Sequence, residues 1–240
     1  MENLLNRRQF LYTTAGACLM SFDSARTGLA QGKTVGPLFK ISLAEWSINR
    51  PLFSGKMQHL DFATIARSLG IDAIEYVNQF FMDKAKDTAY LREMNARAKG
   101  AGVTQVLIMC DNEGNLGDPD PAKRQSAVEN HYKWVEAAKF LGCHTIRVNG
   151  YSSGTPDEQK KLVADGMRRL CEFADPIGIN VVIENHGGLS SNARWLVETI
   201  TAANQDRPEV DIDRRKIRNS VNHADLNHAS KLGHILIIEK

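Results

Sequence analysis

No apolar run in this chain approaches the ~20 residues that a membrane-spanning helix needs, so no transmembrane span is expected once the N-terminus is processed. Charge of one sign is missing as well. Thirty Lys and Arg stand against 28 Asp and Glu for a formal net charge of +2, and no dense basic stripe is interleaved with aromatics. Nucleic acid and anionic membrane surfaces are therefore not the expected partners, and a small molecule is. Cysteine is scarce: Cys18, Cys110, Cys143 and Cys171 are the four, with no Cys-x-x-Cys among them. That spacing excludes a zinc clip or a dithiol redox motif. The odd number left if Cys18 departs with a leader argues against a disulfide framework, so the three read as core cysteines. No Gly-x-Gly-x-x-Gly follows the first strand and no Walker-type loop occurs, which disfavours a nucleotide-binding open sheet.

What is present is an ordinary globular make-up, 42% hydrophobic and 24% charged over 240 residues, enough for one sizeable α/β core. The first 30 residues are of a different kind. Asn6-Arg7-Arg8-Gln9-Phe10-Leu11 leads into a modest apolar stretch to Met20, and Gly28-Leu29-Ala30 offers a small-x-small cleavage site. Paired arginines followed by Phe-Leu predict a twin-arginine export signal over 1–30, a linker over 31–37 and a periplasmic or extracellular destination. A basic amphipathic helix of the mature domain is the alternative, which Gly16 and Gly28 suit poorly.

One pattern then recurs four times. Leu69-Gly70-Ile71, Ala101-Gly102-Val103, Leu141-Gly142-Cys143 and Ile177-Gly178-Ile179 each lead to a short apolar run: Ile74–Val77, Val106–Met109, Ile146–Asn149 and Val182–Asn185. Each copy reads as a helix ending at glycine, then a buried strand. The glycines recur at roughly 32 to 40 residues, one βα unit apart. Phe39 to Ile48 supplies an opening strand. Phe62, Ile65, Ala66 and Leu69, and Val163, Met167, Leu170 and Ala174, make helical stripes between strands. Strand alternating with helix predicts a parallel sheet with right-handed crossovers. The fold class is α/β, of (βα)8 TIM-barrel type, incomplete, with five or six βα units over 38–205.

The strand ends collect polar residues: Glu45-Trp46-Ser47, Glu75 with Asn78-Gln79, Cys110-Asp111-Asn112-Glu113, Arg147 with Asn149, and Glu184-Asn185-His186 before Gly187-Gly188. In a barrel these converge on one mouth, where the sites of such folds lie. Glu184 is the first candidate for chemistry, against the plainer reading of a strand-end carboxylate that caps a helix or pairs with a lysine. Asp111 and Glu113 lie in Asp-Asn-Glu-Gly-Asn-Leu-Gly-Asp, which is also plain turn chemistry. Trp46 is either a core residue or an aromatic wall for a sugar ring. Carboxylates and imidazole without cysteine are hard ligands suited to Mg2+, Mn2+ or Zn2+, and a metal beside a carboxylate base suits proton abstraction next to a carbonyl.

Taken together, Ser42–Ser47, Gly70–Phe81, Met109–Asp118, Gly142–Asn149 and Ile183–Gly188 resemble the sugar phosphate isomerase/epimerase family of xylose-isomerase-like TIM barrels, from about Phe39 to about Thr201. The resemblance implies a divalent metal held by carboxylates and a histidine from the fifth to eighth strands. It implies 1,2-proton transfer in a ketose or keto-sugar. Glu184 matches the fifth-strand glutamate, a metal ligand that also takes part in moving the proton. His186 matches a substrate-contacting position, and Glu75 and Asn149 fall where members line the pocket. Trp46, Glu75, Asn149 and His186 are thus the expected substrate contacts.

The likeness stops after about Ala203, and fewer than forty residues remain where three more βα units would need about 100. The charged stretch 206–240 lacks a Pro-Asp-Phe-Gly motif, and a truncated or frame-shifted chain is the expectation. Alternatively the tail is native: Leu232-Gly233-His234 to Glu239 repeats the glycine-to-strand pattern, giving a last strand over 234–239 and a second ligand at Glu239. His223, Asp225 and His228 would be further candidates.

Three function classes follow. The first is an exported, metal-dependent sugar isomerase or epimerase acting on a free sugar or keto-sugar. The second is a non-catalytic carbohydrate-binding or inactive barrel fragment. The third, an abasic-site endonuclease, needs zinc ligands and a basic face that are not visible. Open sheet edges would offer a route to a homo-oligomer.

Overall fold

All four repeat glycines close a helix in the left-handed conformation. Gly70, Gly102, Gly142 and Gly178 have φ of 78°, 66°, 76° and 76° in the computed structural model, which describes residues 40–204. At each stop the amide after the glycine bonds back to an alanine carbonyl: Ile71 to Ala66, Val103 to Ala98, Cys143 to Ala138 and Ile179 to Ala174, at 2.9–3.2 Å. Each glycine amide itself reaches the carbonyl three residues before it. This is the Schellman arrangement. The alanine lets the turn close against the core, and the apolar residue after the glycine turns the chain into the next strand.

The elements are β1 Leu43–Ala44, α1 Asn49–Phe53, α2 Phe62–Ser68, β2 Ala73–Val77, α3 Thr88–Ala101, β3 Thr104–Met109, α4 Pro121–Leu141, β4 Thr145–Asn149, α5 Pro156–Ala174, β5 Asn180–Glu184 and α6 Ala193–Asn204. The strands form one parallel sheet in the order β1-β2-β3-β4-β5. This is a TIM-barrel-like α/β fold, open among the described residues. The two longest helices also have built starts. Asp120 caps the amides of Ala122 and Lys123 ahead of Pro121, and Thr155 and Glu158 form a reciprocal capping box around Pro156. Among the described residues no helix is long and apolar enough to cross a membrane.

Side chains alternate across the sheet with period two. Ile74, Tyr76, Ile108, Ile146 and Val148 join the main core, which includes Trp134, Phe62, Leu170 and the buried Cys143. Val163, Met167, Leu170 and Ala174 of α5 all enter that core, as their spacing predicts. The other face carries Val77, Leu107 and Met109 in a small second cluster. Arg147, Asn149 and Glu184 fall on that same face by alternation, with Asn149 paired to Glu184, and Glu75 joins them where a register shift at Ile74/Glu75 sets it opposite Leu107. Cys110, Cys143 and Cys171 are buried.

Three expectations are corrected. The opening strand is two residues long, and Glu45–Ile48 is a 3-10 turn running into α1. This accords with Glu45, whose carboxylate turns inward to the amide of Val77 and to His59 where an exposed strand end was expected. Leu69 is 61% exposed: α2 ends at Ser68, so Leu69 sits in the cap instead of on the helical stripe. The fifth strand is not fully buried. Val182 is 38% exposed, because β5 is the edge of the described sheet and pairs only with β4. The proposed leader over 1–30, the linker over 31–37 and the tail over 206–240 with its strand at 234–239 lie outside the described residues, as do Glu239, His223, Asp225 and His228.

Candidate active site at the strand ends

Arg147 is the hub of the polar face. It lies inside β4 and is only 5% exposed, a position where a guanidinium is costly unless carboxylates surround it. They do. Its Nε is 2.8 Å from Glu184 Oε2, on the neighbouring strand, and its Nη1 donates to Asp111 Oδ1 at 3.0 Å, just beyond β3. Nη1 also reaches Asn149 Oδ1 at 3.2 Å, while Asn149 Nδ2 donates to the same Asp111 oxygen at 2.7 Å. The register explains the grouping, because Asn149 stands directly opposite Glu184 and Met109 opposite Arg147.

Asp111 is held from every side. Gln79 Nε2 donates to Oδ2 at 3.0 Å, and the buried Asn78 clasps the Asp111 backbone with both ends of its amide, each at 2.9 Å. Burial disfavours the Asp111 carboxylate, but the charge of Arg147 and the amides of Asn149 and Gln79 outweigh it, and its pKa lies below the ordinary value. Glu75 shifts the other way. Burial raises it, the Ser42 hydroxyl that donates to Oε1 and the charge of Arg147 pull it down, and the charge of Glu184 pushes it up again. The net direction is upward. Two carboxylates that feel one guanidinium are thus driven apart.

His186 follows β5 in the exposed loop. Its Nδ1 lies 3.2 Å from Asn149 Oδ1 and 3.3 Å from the Tyr151 hydroxyl, which donates to the His186 carbonyl at 3.1 Å. Ser190 fixes the loop by accepting from the His186 amide. Trp46 stands apart from the network. It is 43% exposed and forms an aromatic corner with Phe53 and Phe80, ring centroids 5.1–6.2 Å apart. Phe80 adjoins Gln79, which ties that corner to Asp111 along the chain.

Of the expected site residues, Asn149, Glu184 and His186 are linked through this network, Glu75 feels it only through the charges of Arg147 and Glu184, and Trp46 is close to it only by way of Phe80. Sequence reasoning noted Arg147 and Asp111 without assigning them to the site. Counting two residues back from Asn149 along β4 places Arg147 on the same face. Asn78 and Gln79 stand among the strand-end polar residues of the sequence, whereas Tyr151 carries no such signal. Glu113, weighed beside Asp111 as turn chemistry, is instead a core acceptor for Trp134 Nε1 at 2.6 Å and Lys133 Nζ at 3.0 Å.

The family model of the xylose isomerase-like TIM barrel matches residues 63–229. The chain belongs to this family. The match begins after β1 and runs past Ala203. No curated protein sequence matches the chain. Among solved structures it is similar to the IolI protein with a bound zinc atom, at 14% identity over 69% of this chain and 59% of that one, with a TM-score of 0.55. It is similar to a xylose isomerase domain containing protein of Salmonella typhimurium, at 15% identity over 68% and 56%, with a TM-score of 0.50. A third is 3-keto-D-glucoside 4-epimerase, YcjR, of E. coli, at 17% identity over 72% and 70%, with a TM-score of 0.49. Against a protein of Sinorhizobium meliloti the chain covers 49% of the other's length, so it spans about half to seven-tenths of these structures. At such identities the likeness concerns the fold.

In this xylose isomerase-like barrel the oxygen donors that a divalent ion would use are Glu184, Asp111, Glu75 and the Asn149 carbonyl. The cation standing among them is Arg147. Among the described residues no three His, Cys, Asp or Glu side chains converge as a ligand set. With guanidinium nitrogens at 2.8 Å from Glu184 and 3.0 Å from Asp111, these residues as arranged do not fit a divalent metal.

Proposed function

We propose that the protein binds a free sugar or keto-sugar and transfers a proton at the carbon next to its carbonyl, as an isomerase or epimerase. The observation that carries this reading is the pair Glu75 and Glu184 on one sheet face, both within the field of Arg147, with the Glu75 pKa raised and Glu184 held against a guanidinium. Two carboxyl side chains on one face, one of them biased toward its protonated form, are a pair that a transfer of this kind can use as base and acid. Glu184 takes the proton and Glu75 returns one. His186, Asn149 and Tyr151 offer hydrogen bonds to sugar hydroxyls, and Trp46 offers a face for the apolar side of the ring. Export through the Arg7-Arg8 leader accords with an unphosphorylated substrate.

The test is deuterium exchange. The full chain is incubated with free ketoses and keto-sugars in D2O, with and without added Mn2+, and loss of the proton next to the carbonyl is followed by NMR. Exchange that falls at least ~100-fold in Glu184→Gln supports the reading, a loss in the range seen when a general base is removed. The close Arg147–Glu184 contact also favours a second reading, a carbohydrate-binding barrel without catalysis, and saturable sugar binding with no exchange in either buffer would establish that instead.

A further inference from the structure

We infer that Arg147 is the built-in cation of this site and competes directly with a divalent metal for Glu184. The inference concerns the same strand ends as the proposed sugar site but rests on a different observation, the placement of the guanidinium. Arg147 reaches Glu184 through Nε and Asp111 through Nη1, so one planar group bridges carboxylates from two segments that β4 separates. The contact with Asp111 is a charge-assisted hydrogen bond and the contact with Glu184 an ion pair, and both form in a place almost closed to solvent. The strand fixes the geometry further, because Arg147 and Asn149 are two residues apart on one face and Asn149 adds its own bond to the Asp111 oxygen that Arg147 uses.

A divalent ion that took Glu184 and Asp111 as ligands would need the space between them. That space is occupied by the guanidinium. Two positive groups at this separation in a poorly hydrated site repel, so the metal enters only if Arg147 leaves its bonds with both carboxylates. Arg147 could not simply swing to water either, since it is a nearly buried strand residue held between Asp111 and Glu184. Removing the guanidinium has the opposite effect. Carboxylates once neutralised by it would be left facing each other beside the Asn149 carbonyl, a set of hard oxygen donors with excess negative charge. In this chain, metal affinity at Glu184 is set by Arg147 before it is set by ligand count.

The test is a Mn2+ titration of the full-length protein by calorimetry, for the natural chain, Arg147→Ala, Arg147→Lys and Glu184→Gln, with circular dichroism to confirm folding. Only weak binding is expected in the natural chain, unchanged by Glu184→Gln, and at least tenfold tighter binding in Arg147→Ala. Arg147→Lys should remain weak, because it keeps the charge. Stoichiometric Mn2+ binding by the natural chain that Glu184→Gln abolishes would overturn the inference, and this comparison stands even if Arg147→Ala fails to fold. So would a folded Arg147→Ala that binds no more tightly than the natural chain. Sugar proton exchange that depends on Mn2+ would keep the proposed function and defeat this inference, whereas absence of exchange with the expected titration would do the reverse.

Discussion

Glu45 Oε1 lies 2.7 Å from His59 Nδ1 at a fully buried contact that pins the turn after β1 to the segment before α2. The second carboxylate oxygen accepts from the Val77 amide at 3.0 Å, so one side chain ties three parts of the chain together. His59 is stacked on Phe81 at 4.6 Å and flanked by Tyr90, so a lost partner would leave its ring nitrogen among buried aromatic rings. Glu45→Ala should therefore destabilise the protein by about 3 kcal/mol, the range for stripping one partner from a buried polar pair. Glu45→Gln keeps an acceptor and the side-chain volume and should cost about 1 kcal/mol. Urea denaturation of both variants measures the difference.

Glu75 and Asp111 should give stability slopes of opposite sign with pH. The Glu75 pKa is raised in the folded protein, so its contribution to stability is full below its ordinary value and is lost as pH rises through the folded value. Glu75→Gln should then stabilise the fold relative to the natural chain at pH 7 to 8, with the gain shrinking toward pH 4. The Asp111 pKa is lowered, and its contribution is present above the ordinary value and lost as pH falls through the folded one. Asp111→Asn should cost stability at pH 7, and that cost should shrink in acid. Thermal midpoints across pH check both, and parallel curves for the two variants would contradict the assignment.

The helix-stop glycines were legible in the sequence because each cap needs a residue that tolerates positive φ, and Gly70, Gly102, Gly142 and Gly178 recur with an alanine four residues before them. Strand positions followed from them. What the sequence hid was which polar residues face one another. Glu45 and Glu75 look alike as strand-end carboxylates, yet Glu45 turns into the core to His59 and Glu75 stays on the face with Arg147. The difference depends on where His59 lands, fourteen residues away, and no local pattern encodes that contact. Arg147 was hidden for the opposite reason. A lone arginine inside Ile146–Val148 resembles an interruption of an apolar strand until its neighbours on both sides are known to carry carboxylates.

Gly166 in α5 is a packing constraint that its helical context conceals. A side chain there would run into the carbonyl of Leu116, so α5 presses its backbone against the loop that follows β3. That loop is anchored next to Gly117, which bridges to Ser152 beyond β4. Ala favours helix, and propensity alone would make Gly166→Ala stabilising by about 1 kcal/mol. The collision with backbone atoms should reverse the sign and give a net loss of about 2 kcal/mol. Gly100, in α3 with open space around it, is the matched control, and Gly100→Ala should raise the unfolding midpoint.

Trp46 makes the strongest separable claim on the sugar. Its ring, Phe53 and Phe80 present an exposed aromatic corner, with Phe53 61% and Trp46 43% exposed, which a stable core would not leave open. Stacking a sugar on such a surface is worth about 1 kcal/mol, or five- to tenfold in affinity. Trp46→Ala should weaken sugar binding by that factor and leave the unfolding midpoint close to the natural one, since the ring contributes little buried area. Trp46→Phe should recover part of the affinity. Loss of stability in Trp46→Ala comparable to that of Glu45→Ala would place the ring in the core instead, and calorimetric titration beside urea denaturation distinguishes the two roles in the same set of proteins.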